Sequence, residues 1–249
     1  NLKFLTRKNF WSLFACGMLG NFIPAFLFTL SETEISSSLA GILNGLTPFF
    51  TLIAGVIAFK NRPAIYQYIG VFVGFVGASI LVTNGNFNSF GDINGFAMLV
   101  VLATLMYGIN TNIIRFKLSG LNGVQITSLV FFLVGPFSVV ILLFSDMTAA
   151  VASAEFWPSL SATFILAAFG SVISLFVFNN LIHKAGAIFA SSVTYIIPVF
   201  ALMWGLLDNE SVTAVHFLSL LVIVFGVYLS SLRNTKNFRI FGKRPAIKT

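Results

Sequence analysis

Every charged side chain in this sequence lies at the ends of, or between, long apolar runs, and the sign alternates from one such segment to the next. Eight runs carry no charge in their interior: residues 10–30, 38–59, 64–83, 93–114, 123–145, 158–182, 186–207 and 213–232. About 20 apolar residues are what a helix rising 1.5 Å per residue needs to cross a hydrocarbon core of about 30 Å. In lipid an open sheet edge would leave backbone groups unpaired, so the runs are expected to be helices. Composition agrees, since 57% of residues are hydrophobic and 8% charged, where a water-facing surface needs roughly a quarter charged. The expected fold is an all-α, polytopic transmembrane helical bundle. Cys16, in the first run, is the one cysteine, so no intrachain disulfide can form.

Charge sets the expected orientation. Lys3, Arg7 and Lys8, then Lys60 and Arg62, then Arg115 and Lys117, then Lys184, then six basic residues in the tail 233–249 occupy one side. Glu32, Glu34, Asp92, Asp146, Glu155, Asp208 and Glu210 occupy the other. The positive-inside rule therefore places both ends of the chain in the cytoplasm. The net charge of +7 reads as membrane topology, and no nucleic-acid partner is expected because the basic residues are dispersed along one membrane face. Anionic membrane lipid is a natural partner for the tail.

An internal repeat runs through the spans at an offset of 150. Gly20 matches Gly170, Phe26 matches Phe176, Ala40 matches Ala190, Pro48 matches Pro198, Phe50 matches Phe200 and Gly55 matches Gly205. After a slip of one residue Gly226 stands opposite Gly77. Spans one to three thus correspond to spans six to eight, while spans four and five have no upstream counterparts. The expectation is a ten-helix protein of two five-helix units, eight spans being present here and two N-terminal helices absent. A five-helix unit enters and leaves on opposite faces, so its copies are inverted, as in many transporters. The parts are then 1–83, the last three helices of the first repeat; 84–92, a loop; 93–232, the second repeat; and 233–249, a basic cytoplasmic tail.

Each copy breaks an apolar run with a proline near mid-membrane. A proline removes one amide and pushes away the carbonyl four residues earlier, which belongs to Asn44 for Pro48 and Thr194 for Pro198. Pro48 and Pro198 are read as hinges whose freed carbonyls line a cavity, the place where irregular backbone is tolerated in a membrane. Polar side chains within the spans add to that outline, because in lipid each needs a partner or water. Asn21, Asn44, Tyr107, Asn110, Thr194, Tyr195 and Trp204 are the candidate substrate-binding residues. Gly70, Gly74 and Gly77 share one helix face, a close-packing pattern that serves either packing within the protein or a homodimer.

No zinc-helix HExxH, paired intramembrane aspartates or serine nucleophile with a histidine base is present, so no catalytic residue, metal or cofactor is expected. The segments "SSSLAGILNGLTPFF" with "GVFVGFVGASILV", and "GAIFASSVTYIIPVFALMWGLLDNE" with "LLVIVFGVYL", resemble the EamA-type branch of the drug/metabolite transporter superfamily. The resemblance covers residues 15 to 232. It implies ten helices with both ends in the cytosol, a location in the cell inner (plasma) membrane, and movement of small metabolites or drugs, often amino acids and frequently outward. With no acid inside the spans, the expected small-molecule substrate is neutral or zwitterionic, carried by alternating access by a monomer or homodimer. Two alternatives stay open: a receptor or structural membrane protein, and proton-coupled drug efflux with its acid on the absent helices.

Overall fold

A computed structural model describes residues 5–35, 37–83, 95–145, 148–153, 155–197 and 214–232. Among them the regular structure is all helical, and five helices are long and apolar enough to cross a membrane, with three shorter apolar ones beside them. Span one is α1 (Arg7–Gly17), a π-helical turn (Met18–Phe22) and α2 (Ile23–Ser31). Span two is broken into α3 (Ser37–Asn44) and α4 (Thr47–Ile57), and α5 (Ile65–Thr83) is span three. Next come α6 (Gly95–Lys117) and α7 (Gly123–Phe144), then a short α8 (Thr148–Ala152) before span six. Span six is α9 (Phe156–Ile165), a π-helical segment (Leu166–Ile173) and α10 (Ser174–Ala185). Then follow α11 (Ala187–Ser192), a 3₁₀ turn (Val193–Ile196) and α12 (Ala214–Ser231).

The boundaries have local causes. Thr6 caps α1 by accepting from the Asn9 amide. Asn122 and Gln125 form a reciprocal capping box on α7, which satisfies two amides a helix start leaves unpaired. Gly186, at φ +98°, supplies the turn between α10 and α11 that a side chain would strain.

Two halves of the repeat meet through glycine. A Cβ on Gly70 would overlap the backbone of Ser230 and come within 2.6 Å of the Gly226 carbonyl oxygen, and one on Gly226 would overlap the Gly74 amide. These residues let α5 and α12, spans three and eight, pack backbone to backbone. The glycine face read from the sequence is therefore filled from within the chain. α6 forms the centre of the bundle, packed against α1, α2, α3, α4, α10 and α11. Gly108 admits the backbone of Phe50 and Thr51 to its surface, and Asn112 donates across that contact to the Thr51 carbonyl at 2.8 Å.

The repeat is written in the backbone as well as in the residues. The π-helical stretches Met18–Phe22 and Leu166–Ile173 overlap at the same offset of 150, each with its matched glycine, Gly20 and Gly170, inside. An i→i+5 turn holds one extra residue and marks functional positions in many helices. The turn at Gly45–Leu46 and the 3₁₀ turn at Val193–Ile196 match in the same way.

Candidate functional site

A cavity of about 340 Å³ opens where these irregular turns converge on α6, a size suited to a small molecule. α6 supplies one stripe of its wall, Tyr107, Asn110, Thr111 and Ile114, the i, i+3, i+4, i+7 spacing of a single helix face. Span one contributes Cys16, Gly20 and Asn21, and the break in span two contributes Asn44 and Thr47. α7 adds Thr127, span six adds Gly170, Ser171 and Asn179, and the turn after α11 adds Thr194. None of the described lining residues carries a formal charge.

The polar atoms are held by specific contacts. Gly20 leaves room for the Asn110 amide, which a Cβ there would overlap. Asn179 donates from Nδ2 to Thr127 Oγ1 at 3.0 Å, tying α10 to α7. The carbonyl oxygens Oδ1 of Asn110 and Asn179 are buried with no hydrogen-bond partner, in residues 8% and 4% exposed. Tyr107 stacks on Phe28 of α2, with ring centroids 6.1 Å apart and planes 22° apart.

The proline reading needs two corrections. Pro48 does not bend a continuous helix; it sits in the first turn of α4, after a break. Nor is the Asn44 carbonyl left free, because Thr47 Oγ1 donates to it at 2.8 Å, replacing the amide that position 48 lacks. The Thr194 carbonyl likewise accepts from the Ile197 amide. What reaches the cavity at both breaks is a polar residue whose carbonyl is already paired. Pro198 itself lies outside the described residues.

Of the seven candidate binding residues, Asn21, Asn44, Tyr107, Asn110 and Thr194 share the wall of this cavity. Tyr195 does not. Its ring fills the notch at Gly74, its hydroxyl donates to the Val71 carbonyl at 2.9 Å, and it is fully buried between α5 and α12. Its neighbour Thr194 leaves on another face of the turn, which is why adjacent residues part company. Trp204 lies outside the described residues. Thr47, Thr111, Thr127 and Asn179 were not among the candidates. Thr111 was legible one residue after Asn110 on the same stripe, whereas Thr127 is found only once α7 is placed against α10.

Toward the basic ends of the spans lies a buried apolar cluster. Leu13, Cys16, Ile114, Leu118, Ile126, Val130 and Ile182 join in one buried cluster drawn from α1, α6 and the residue after it, α7 and α10. Arg115 of α6 donates from Nη1 to the carbonyls of Ile182, at 3.1 Å, and His183. It thereby adds a second donor to the Ile182 carbonyl, which already accepts from the Gly186 amide, pairs the His183 carbonyl, and opposes the negative pole of that helix.

Comparison with known proteins gives a consistent picture. The EamA-like transporter family matches residues 1–83 and 95–232. The Escherichia coli K12 protein named uncharacterized inner membrane transporter YedA is 28% identical over 216 residues, 83% of this chain and 66% of its own. This chain thus spans just under two thirds of that relative's length. The Bacillus subtilis protein named uncharacterized transporter YyaM is 22% identical over 232 residues, 90% of this chain and 74% of its own. A solved structure titled only as the crystal structure of a protein superposes with a TM-score of 0.68 at 11% identity, covering 90% of this chain and 76% of that one. That likeness concerns the fold.

Proposed function

The chain belongs to the EamA-like transporter family, of the drug/metabolite transporter type, and on that footing we propose that it carries small neutral or zwitterionic metabolites, amino acids among them, across the cell inner membrane. Transport is outward and proceeds by alternating access, with the repeat-related halves exchanging conformations around one midplane site. The observation that supports this reading is the uncharged polar cavity at the meeting point of two repeat-matched helix breaks and two repeat-matched π turns. Irregular backbone at membrane depth belongs where it lines a cavity. A cavity of that size accommodates a small metabolite.

Counterflow in proteoliposomes, with a panel of radiolabelled amino acids and other small metabolites, tests the proposal. At least one neutral or zwitterionic solute is expected to exchange in a protein-dependent way, and Thr127→Trp, which fills the cavity, is expected to stop it. Undiminished flux through a correctly folded Thr127→Trp protein would place the pathway elsewhere. The proposed orientation has both ends of this chain in the cytoplasm, from the charge asymmetry of the loops. With Cys16 replaced by alanine, a membrane-impermeant thiol reagent added outside should label Glu34→Cys and spare Arg62→Cys. Equal labelling would overturn the orientation.

A further inference from the structure

The two helix breaks that reach the cavity share a second neighbour. Asn44 and Thr194 line the cavity wall, and they occupy matching places at the offset of 150. The residues that follow them, Gly45 and Tyr195, match as well, and both meet the same stretch of α5. Tyr195 touches it at two points: its hydroxyl donates to the Val71 carbonyl at 2.9 Å, and its ring lies beside Gly74, where a Cβ would come within 2.6 Å of Cδ2 and Cε2. Gly45 meets the next residue, Phe75, whose ring a Cβ on Gly45 would touch at 3.4 Å. Phe75 in turn stands edge-on to Phe49 of α4, with centroids 5.4 Å apart, and packs against the buried cluster of Tyr195, Ala78, Leu81 and Ile223. Size is exchanged between the copies: a large residue of span seven faces a glycine of α5, and a glycine of span two faces a large residue of α5.

One turn, Val71–Phe75, is thus where the two breaks join. The Val71 carbonyl that accepts from Tyr195 is also, by the pattern of an α-helix, the acceptor for the Phe75 amide. Tyr195 and Val71 are buried, so a Tyr195 hydroxyl deprived of this acceptor would be left unpaired, and that cost holds the 3₁₀ turn to α5. Resting on the transport reading above, we propose that Tyr195 is a positioning residue. It sets Thr194 at the cavity by pinning the break of span seven to α5, and through the turn Val71–Phe75 it ties that break to the one at Asn44 and Gly45 in span two. A solute that displaces one break then shifts the other, as exchange of conformation between repeat halves requires.

Thiol labelling tests the link whatever the solute is. In the reconstituted Cys16→Ala protein, single cysteines at Thr194, Asn44 and Asn21, all on the cavity wall, are modified with a small methanethiosulfonate reagent, with and without Tyr195→Phe. That variant keeps the ring beside Gly74 and removes only the hydroxyl. Labelling should quicken about three- to tenfold at Thr194→Cys and at Asn44→Cys, the ratio that one buried hydrogen bond supplies. It should stay within about twofold at Asn21→Cys, whose span packs chiefly on α6 and α7 and does not use that bond. Coupling between sites is reciprocal, so Phe75→Leu should quicken Thr194→Cys as well, and it serves as the second variant should Tyr195→Phe not fold. A response at Thr194→Cys without one at Asn44→Cys would reduce Tyr195 to a local brace and overturn the link. Equal acceleration at all three positions would show general loosening and overturn it too, as would no response at any of them. Counterflow is scored separately: no exchange of any solute, with the labelling pattern intact, would remove the transport reading and leave the link between the breaks standing.

Discussion

Spans one and six are the same helix by sequence and different helices by environment. Both carry a π-helical stretch around a matched glycine, and both bring that stretch to the cavity. Beyond it they diverge. The outer half of span one, α2, lies along α6, with Phe28 stacked on Tyr107 and packed into the cluster of Ile35, Leu39, Leu43, Ala97 and Val100. The outer half of span six stands clear of its neighbours among the described residues: Phe164 is 74% exposed and Leu166 69%. The copies being inverted, α2 corresponds by sequence to residues 173–181 of span six and α9 to residues 6–15 of span one, so the two outer halves are not repeat counterparts and the packing of each is set by what it meets. Among the described residues α9 packs on its own span and on α8, whereas α2 packs along α6.

The sharpest way to break this comparison is to remove one aromatic ring from the outer half of each span. Phe28→Ala deletes a stack and a half-buried packing surface, an expected loss of about 2 kcal/mol that would lower the melting temperature in detergent. Phe164→Ala removes a ring that is exposed among the described residues and is expected to change stability by less than about 0.5 kcal/mol. Equal losses would show that the outer half of span six packs as span one does.

The matched glycines give the next contrast, this time in flux. A Cβ on Gly20 overlaps the Asn110 amide, while one on Gly170 meets only the end of the Leu166 side chain, at 3.1 Å. Gly20→Ala should displace Asn110 from the cavity wall and reduce counterflow about fivefold, the worth of about one neutral hydrogen bond. Gly170→Ala should stay within about twofold, because an exposed leucine can turn aside at small cost. Matched losses would mean that the π turns act as backbone hinges first and as spacers second.

These contrasts also mark where the sequence was readable. Span positions were legible because apolar length and charge segregation are properties of a single helix in a bilayer. The paired breaks were legible because proline acts on its own chain. What the proline does was not. Thr47, one residue before it, closes the Asn44 carbonyl, and this outcome depends on a rotamer. Tyr195 was misplaced for a related reason: adjacent residues in a 3₁₀ turn diverge by about a third of a revolution, so Thr194 reaches the cavity while Tyr195 fills Gly74. Asn179 and Thr127 lie 52 residues apart in sequence, and only the crossing of α7 with α10 makes them a pair.

The smallest effect tests the cause of the divergence between the two spans. Ser31, fully buried at the end of α2, donates across to the Phe96 carbonyl of α6 at 2.8 Å. The hydroxyls in the outer half of span six stay on their own helix, Ser161 donating to the Trp157 carbonyl and Thr163 to the Ser159 carbonyl, both at 2.8 Å. An interhelical hydrogen bond in a membrane averages about 0.6 kcal/mol and reaches about 1.7, whereas a hydroxyl returned to its own turn slightly disfavours the helix. Ser31→Ala should therefore destabilise the protein by about 0.6 kcal/mol, and Ser161→Ala should leave it unchanged or marginally more stable. The pair is to be measured together, by thermal unfolding in the same detergent, so that the difference rather than either value decides. If Ser31→Ala costs nothing, the anchoring of span one rests on the Phe28 stack and apolar packing alone. A loss at Ser161 equal to that at Ser31 would instead mean that the outer half of span six is held by a neighbour, and the asymmetry between the two outer halves would fall.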